Sequence, residues 1–237
     1  MAAAFDVSGE SGATGASPRS SGSMTVAAVA DRVVIGYAQF SGNAAAVGTV
    51  TMTFAGNAMT QLAAVEWNGR YSVLFGLTGD ASVVTGACEV SWTGAHVATT
   101  YCGAIVCNGA PGGYGTASND SGTGTTASSV VTTASGDVAL VFHGDDNGST
   151  LTKTADDGTT AWLDTAFDTN TGASWDNATA STSTQGWTLG SSVGWYNHKI
   201  NIKASAGGPS AGTDTATAGL TESLNTVSVT LSIQESG

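Results

Sequence analysis

Gly208-Pro209-Ser210-Ala211-Gly212 matches G-x-S-x-G, the sharp turn that presents a nucleophilic serine. That turn needs a strand before it, a helix after it, and an acid and a histidine downstream. Here the flanks are Gly, Ala, Ser and Thr, and the last histidine, His198, lies upstream. The match therefore carries no catalysis. Two acidic stretches, His143-Gly144-Asp145-Asp146-Asn147-Gly148 and Asp168-Thr169-Asn170-Thr171-Gly172, look like fragments of calcium loops. An EF-hand loop closes on a bidentate Glu at its twelfth position; counted from Asp168, that position is Thr179. Acid is still concentrated here. Asp137, Asp145, Asp146, Asp156, Asp157, Asp164, Asp168 and Asp176 have only Lys153 among them. The expectation is an acidic, turn-rich surface and no metal site, with Asp145, Asp146 and Asp168 the ligands to suspect if calcium stabilises the protein.

Trp162, Trp175 and Trp187 fall in the same region, with Trp195 and Tyr196 close behind. Most are expected in the core. Trp175, in ASWDNA, reads as the exposed one, and Trp175 with Asp176 forms the candidate glycan contact: a ring for sugar C–H faces beside a carboxylate for hydroxyls. Paired carboxylates for glycoside hydrolysis have no spacing here that identifies a pair. The three cysteines, Cys88, Cys102 and Cys107, are odd in number and lack a C-x-x-C pair. Cys102 and Cys107 point to opposite faces of a strand. Free buried thiols are expected, with a Cys88–Cys102 bridge across neighbouring strands as the alternative.

Charged residues make up 10 % of the 237, and eighteen Asp and Glu against six Lys and Arg give a net charge of -12. Such a chain repels phosphate backbones, which argues against nucleic-acid partners. No apolar run reaches the ~20 residues of a membrane span. The beginning, MAAAFDVSGESGATGASPRSSGS, has neither the basic start nor the apolar stretch of a secretory signal.

The elements that must position these residues read as strands. Asp31 to Phe40 carries Val33, Ile35 and Tyr37 on one face and Val34, Ala38 and Phe40 on the other, so it belongs in a central position covered on both sides. Gly56-Asn57 and Asn68-Gly69 mark tight hairpins, since Asn-Gly tolerates the positive φ of a type I′ turn. Strands follow at 86–92 and 97–107, then a Gly-rich polar loop over 108–127. Strands resume at 130–133 and 138–143. Residues 145–185 read mainly as loops with short strands near 151–154 and 160–163, and strands at 187–189 and 193–203 close the domain. No helix is expected, because Thr and Gly are too frequent and no 3.6-residue stripe persists. Residues 1–22 read as an N-terminal arm, 23–205 as the domain, and 206–237 as a linker and a terminal strand. In that strand Val227, Val229, Leu231 and Ile233 share one apolar face. It either closes its own sandwich or pairs with another subunit. The expected fold is all-β: an antiparallel β-sandwich, jelly-roll-like, with N- and C-terminal arms.

DRVVIGYAQF, VTMTFAGNAMTQLAAV, GRYSVLFGLTG, GACEVSWTG, YCGAIVCNGAPGG and GWYNHKINIKA, in that order, resemble a diffuse family of β-sandwich domains in tailed-phage particle proteins and some secreted bacterial proteins. The resemblance spans roughly residues 24 to 204. The chain departs from it in Gly76-Leu77-Thr78-Gly79 and in the acidic insertion. It implies a structural or binding role, with no catalytic residue to carry over and no cofactor. The expectation is a bacteriophage virion protein of the capsid decoration (cement) type, assembled in the host cytoplasm. Its partners would be the major capsid protein and copies of itself, with a trimer favoured and Val227, Val229, Leu231 and Ile233 at the contact. The alternative is a glycan-binding module of a fibre or a secreted protein.

Overall fold

The structure is a computed structural model. It describes residues 2–204 except 14, 28, 30, 80–84, 97, 147–149, 155 and 166–169. The chain divides into two units, Met1–Gly207 and Gly208–Gly237. The second, with Val227, Val229, Leu231, Ile233 and the G-x-S-x-G match, lies outside the described residues.

The described residues form antiparallel sheets in layers, an all-β sandwich. The central sheet has the order β1 (Ala4–Ala13), β11 (Thr100–Asn108), β4 (Val33–Phe40), β8 (Arg70–Thr78), β7 (Thr60–Trp67). Every residue of β4 is buried, as its two apolar rows require. One row, with Val34, Ala38 and Phe40, packs with Val73, Phe75 and Cys102 against a smaller sheet. That sheet runs β2 (Arg19–Ser20), β10 (Cys88–Trp92), β5 (Val50–Phe54), β6 (Asn57–Ala58) and contributes Met52, Phe54, Val90 and Trp92. The other row, with Val33, Ile35 and Tyr37, packs against a third sheet through Leu140, Phe142, Tyr196 and Ile200. The third sheet is β12 (Ser118–Thr132), β17 (Thr182–Ile202), β13 (Val138–Asp145), β16 (Thr171–Asn177), β15 (Thr159–Asp164), with β14 (Leu151–Lys153) beside β17. A short pair, β3 (Met24–Thr25) and β9 (Thr85–Gly86), completes the strands. The antiparallel sandwich expected from sequence is present, with a third sheet that a two-sheet jelly roll does not have.

Four local expectations need correction. Residues 1–22 are not a free arm: β1 pairs with β11 from Ala4↔Asn108 to Ala13↔Thr100, and backbone pairing needs no apolar pattern. The Gly-rich stretch read as a loop over 108–127 contains most of β12, whose polar residues are held by pairing with β17. Thr171–Asn177, read as loop, is β16. One short helix, α1 (Ala44–Val47), exists where none was expected; Asn43 Oδ1 caps it by accepting from Ala46 N at 2.9 Å. Asn68 and Gly69 do take positive φ between β7 and β8. In the other hairpin the positive φ falls on Ala55 and Gly56, one residue earlier than expected.

β17 is the element that builds the interior. Its second half pairs with β13 from Asp145↔Trp195 to Val138↔Ile202. Its first half pairs with β14 and with Thr126–Thr132 of β12. At the register break between Gly124 and Thr126 the paired strands β12 and β17 turn, and the residues beyond it fold back over the outer face of the third sheet. Trp187 then stacks on His143 at 5.6 Å, and Val131 packs on Ala139 and Val141.

Candidate functional site

The space beneath the folded-back halves of β12 and β17 is lined by polar groups. Alternation along β13 places Ala139, Val141, His143 and Asp145 on the face turned away from the central sheet. His143, Asp145, Asn197 and Gln185 are fully buried there. His143 Nδ1 lies 2.7 Å from Asn197 Oδ1, and its Nε2 lies 3.3 Å from Asp145 Oδ2. Asn170 Nδ2 donates to both Asp145 oxygens at 3.1 and 3.2 Å. Asn197 Nδ2 donates to Ser129 Oγ at 2.9 Å. Gln185 donates to Ala139 O at 3.2 Å and accepts from Ser174 Oγ at 2.6 Å.

These are residue types of an acid–base–nucleophile set, in the wrong order. A nucleophile must hydrogen-bond its base, and Asn197 stands between Ser129 and His143. The set is also sealed from solvent. What the arrangement does is tie β13, β16, β17 and the folded-back half of β12 together. A satisfied buried network fixes one register, because any slip leaves unpaired polar groups.

A second polar cluster sits between the central and third sheets. The Tyr37 hydroxyl lies 2.7 Å from Gln39 Oε1 and 2.8 Å from the Tyr196 hydroxyl. His198 Nε2 lies 2.8 Å from Ser72 Oγ, and its Nδ1 contacts Asn119 Oδ1. Burial raises both phenols above their usual range and lowers His198 to about 3, the hydrogen bond at Ser72 opposing it only in part. A neutral imidazole fits these partners, since one nitrogen donates to the Asn119 carbonyl while the other accepts from Ser72.

The acidic residues act as staples. Asp146 accepts from Arg70 Nε and Asn68 Nδ2, each at 2.8 Å. Asp156 pairs with Lys153. Asp157 accepts from Thr184 N at 2.8 Å. Asp137 accepts from Ala134 N, Ala204 N and Asn201 Nδ2 at 2.9–3.0 Å. Asp145 turns inward and Asp146 outward, as strand geometry dictates, so His143 to Asp146 forms a strand end and no calcium loop. Asp168 lies outside the described residues. Among the described residues no group of three or more His, Cys, Asp or Glu is placed to hold a metal ion.

Trp175 is half-buried, and Phe5 stacks flat on it at 4.7 Å and 5°. That ring face is unavailable to a sugar, so the reading of Trp175 as an exposed platform is corrected; the partner is a residue of β1, which was read as arm. Asp176 is half-buried at the end of β16. The three cysteines are free and buried, Cys102 facing the small sheet and Cys107 the third sheet. Burial pushes the Cys102 thiol up to about 12 and raises the other two. Sequence reasoning missed the His143 network. Its one signal was the two-residue spacing of His143 and Asp145 after Val141, which continues a strand face into polar residues.

An open cleft of about 390 Å³ lies between β12 and the end of β17. Val130, Thr132, Lys199, Asn201 and Lys203 are among the residues that line it. Lys199 is engaged by both oxygens of Asp120 at 2.9 and 2.8 Å. Comparison with protein families, with characterised proteins and with solved structures finds no match for this chain.

Proposed function

We propose that this protein is a structural component of a bacteriophage particle, a capsid decoration protein that stabilises the head as a homo-oligomer. The observation that carries the reading is the use made of its reactive side chains. His143, Asp145 and Ser129, the residue types of hydrolytic chemistry, are spent inside the fold as register-fixing contacts. The layered sheets add a central strand, β4, buried on both faces, a design that favours persistence over motion. The resemblance of its sequence segments to those of tailed-phage particle proteins supports the particle context. The glycan-binding alternative loses support from the Phe5–Trp175 stack.

The test is quantitative mass spectrometry of purified particles from lysates of cells producing the phage that encodes the chain. A copy number in the hundreds is expected, together with heads that lose heat resistance when the gene is deleted. Absence from particles, or a copy number of a few at a tail tip, overturns the decoration reading.

A further inference from the structure

The folded-back half of β12 has one open edge. Among the described residues its pairing partner is β17. Thr133 N donates to Ser181 O at 3.0 Å, and the backbone groups of an antiparallel strand alternate sides. Val131, Ser129 and Ala127 therefore bond to Ser183, Gln185 and Trp187, their partners in the register. The far side of β17 agrees. Thr184 O and Gly186 O, opposite Val130 and Ser128, accept from Asp157 N and Thr154 N instead. The N–H and C=O groups of Ser128, Val130 and Thr132 thus point away from the sheet, and among the described residues no hydrogen bond reaches them. Their side chains are exposed as well, Val130 at 49 %, the most exposed large apolar side chain described. Other edges of the large sheets are guarded. β1 carries Asp6 and Glu10, β7 carries Glu66 and β15 carries Asp164. Asn119 Nδ2 also donates to Ala64 O on β7, and Ser8 Oγ to Ala161 O on β15, each at 3.3 Å. Charged side chains are a usual guard of a natural edge; residues 121–136 have none. Such an edge is a template for strand addition.

We propose that this edge pairs with the same edge of a second copy of the chain, antiparallel about a two-fold axis at Val130. The proposal rests on the reading of the protein as a homo-oligomer and names the surface that joins the copies. Two observations select this occupant. The first is charge. The net charge is -12, so two copies repel where acidic edges would meet. The uncharged run 121–136 is a strand edge at which like copies approach without that repulsion. The second is self-complementarity. A two-fold contact is isologous, so Val130 meets its own counterpart and Ser128 meets the counterpart of Thr132. Valine then packs on valine and hydroxyl on hydroxyl, both favourable cross-strand pairs. A shift by two residues would set Val130 against Ser128 or Thr132, which is why the axis falls at Val130. The pairing covers the exposed valine of each copy and gives partners to the open N–H and C=O groups of Ser128, Val130 and Thr132. A two-fold contact closes at two copies, where the resemblance implied a trimer.

The test uses the full chain. Val130→Cys is oxidised with diamide and read on non-reducing gels; the native thiols are buried and do not compete. Directly opposite, bonded residues lie about 5.5 Å apart between Cα atoms, inside the ~4.4–6.8 Å that a disulfide spans. A covalent dimer is expected. It should form at least ~10-fold faster than from Thr60→Cys on the β7 edge, because partners held at an interface meet at mM effective concentration. Ser128→Cys mixed with Thr132→Cys should link faster than either alone. Val130→Lys, at an exposed position, should keep the β-sheet circular dichroism spectrum and lower the mass seen by light scattering from twice the 23.3 kDa of the chain to the chain itself. Linking at Val130 no faster than the control overturns the proposal. So does an oligomer that survives Val130→Lys, since another surface would then hold it, and so does linking without the Ser128–Thr132 preference, since the edges would then lie together unpaired. Particle content is read separately. A Val130-linked dimer of a protein absent from particles sinks the decoration reading and leaves the edge pairing standing; particles rich in a protein that does not link do the reverse.

Discussion

His198 should make the protein acid-sensitive well above the range where carboxylates protonate. The imidazole is fully buried between the central and third sheets, and burial lowers it to about 3. In the unfolded chain it titrates near ~6.5. Between these values the unfolded state holds a proton that the folded state refuses, so stability rises with pH. The contribution is complete above ~6.5 and is lost as pH falls toward the folded value. Over that interval one proton corresponds to about 1.4 kcal/mol per pH unit. Between pH 7 and pH 5, allowing for partial protonation at the upper end, the loss is about 2 kcal/mol. For a chain of this size that lowers Tm by roughly 4–8 °C. The assay compares thermal melts of wild type and His198→Gln at both pH values. Gln keeps an amide for Ser72 or Asn119 and cannot titrate. The variant is expected to be less stable at pH 7 and to lose about 2 kcal/mol less than wild type on going to pH 5. His96 and His143 are common to both proteins and cancel. Equal losses in wild type and variant would refute the assignment.

Three further outcomes are expected. Gly172→Ala places a Cβ 2.8 Å from Trp187 Cη2, against a fully buried ring; the expected cost is about 1–3 kcal/mol in a denaturant melt, and a neutral substitution would show that the folded-back half of β17 does not close on β16. Asp137→Ala removes the acceptor of two backbone N–H groups and the Asn201 amide at a buried position, with an expected loss of about 2–4 kcal/mol in the same assay; a loss below ~0.5 kcal/mol would mean that water replaces the carboxylate. In native protein at pH 8, none of Cys88, Cys102 and Cys107 should react with a thiol reagent, and all three should react in denaturant; fast labelling of any one in the native state would contradict its burial.

The sequence by itself determined the parts whose pattern is local. β4 is apolar on both alternating rows, so its central place followed from period two alone. Asn68-Gly69 closes a hairpin because those two residues accept positive φ, and Cys102 and Cys107 face opposite layers because five residues is an odd step along a strand. Tertiary structure decided the rest. β1 and β12 are polar and Gly-rich, and nothing in their own residues favours strand over loop. Ladder hydrogen bonds to β11 and β17, whose partners lie far along the chain, hold them extended. Trp175 looked exposed until β1 brought Phe5 onto its face. The fold-back of β17 brings Ser129, His143, Asp145, Asn170 and Asn197 together, and no spacing could reveal that juxtaposition. A buried polar group is stable only where its partners are also buried, and which partners those are is a property of the folded sheets.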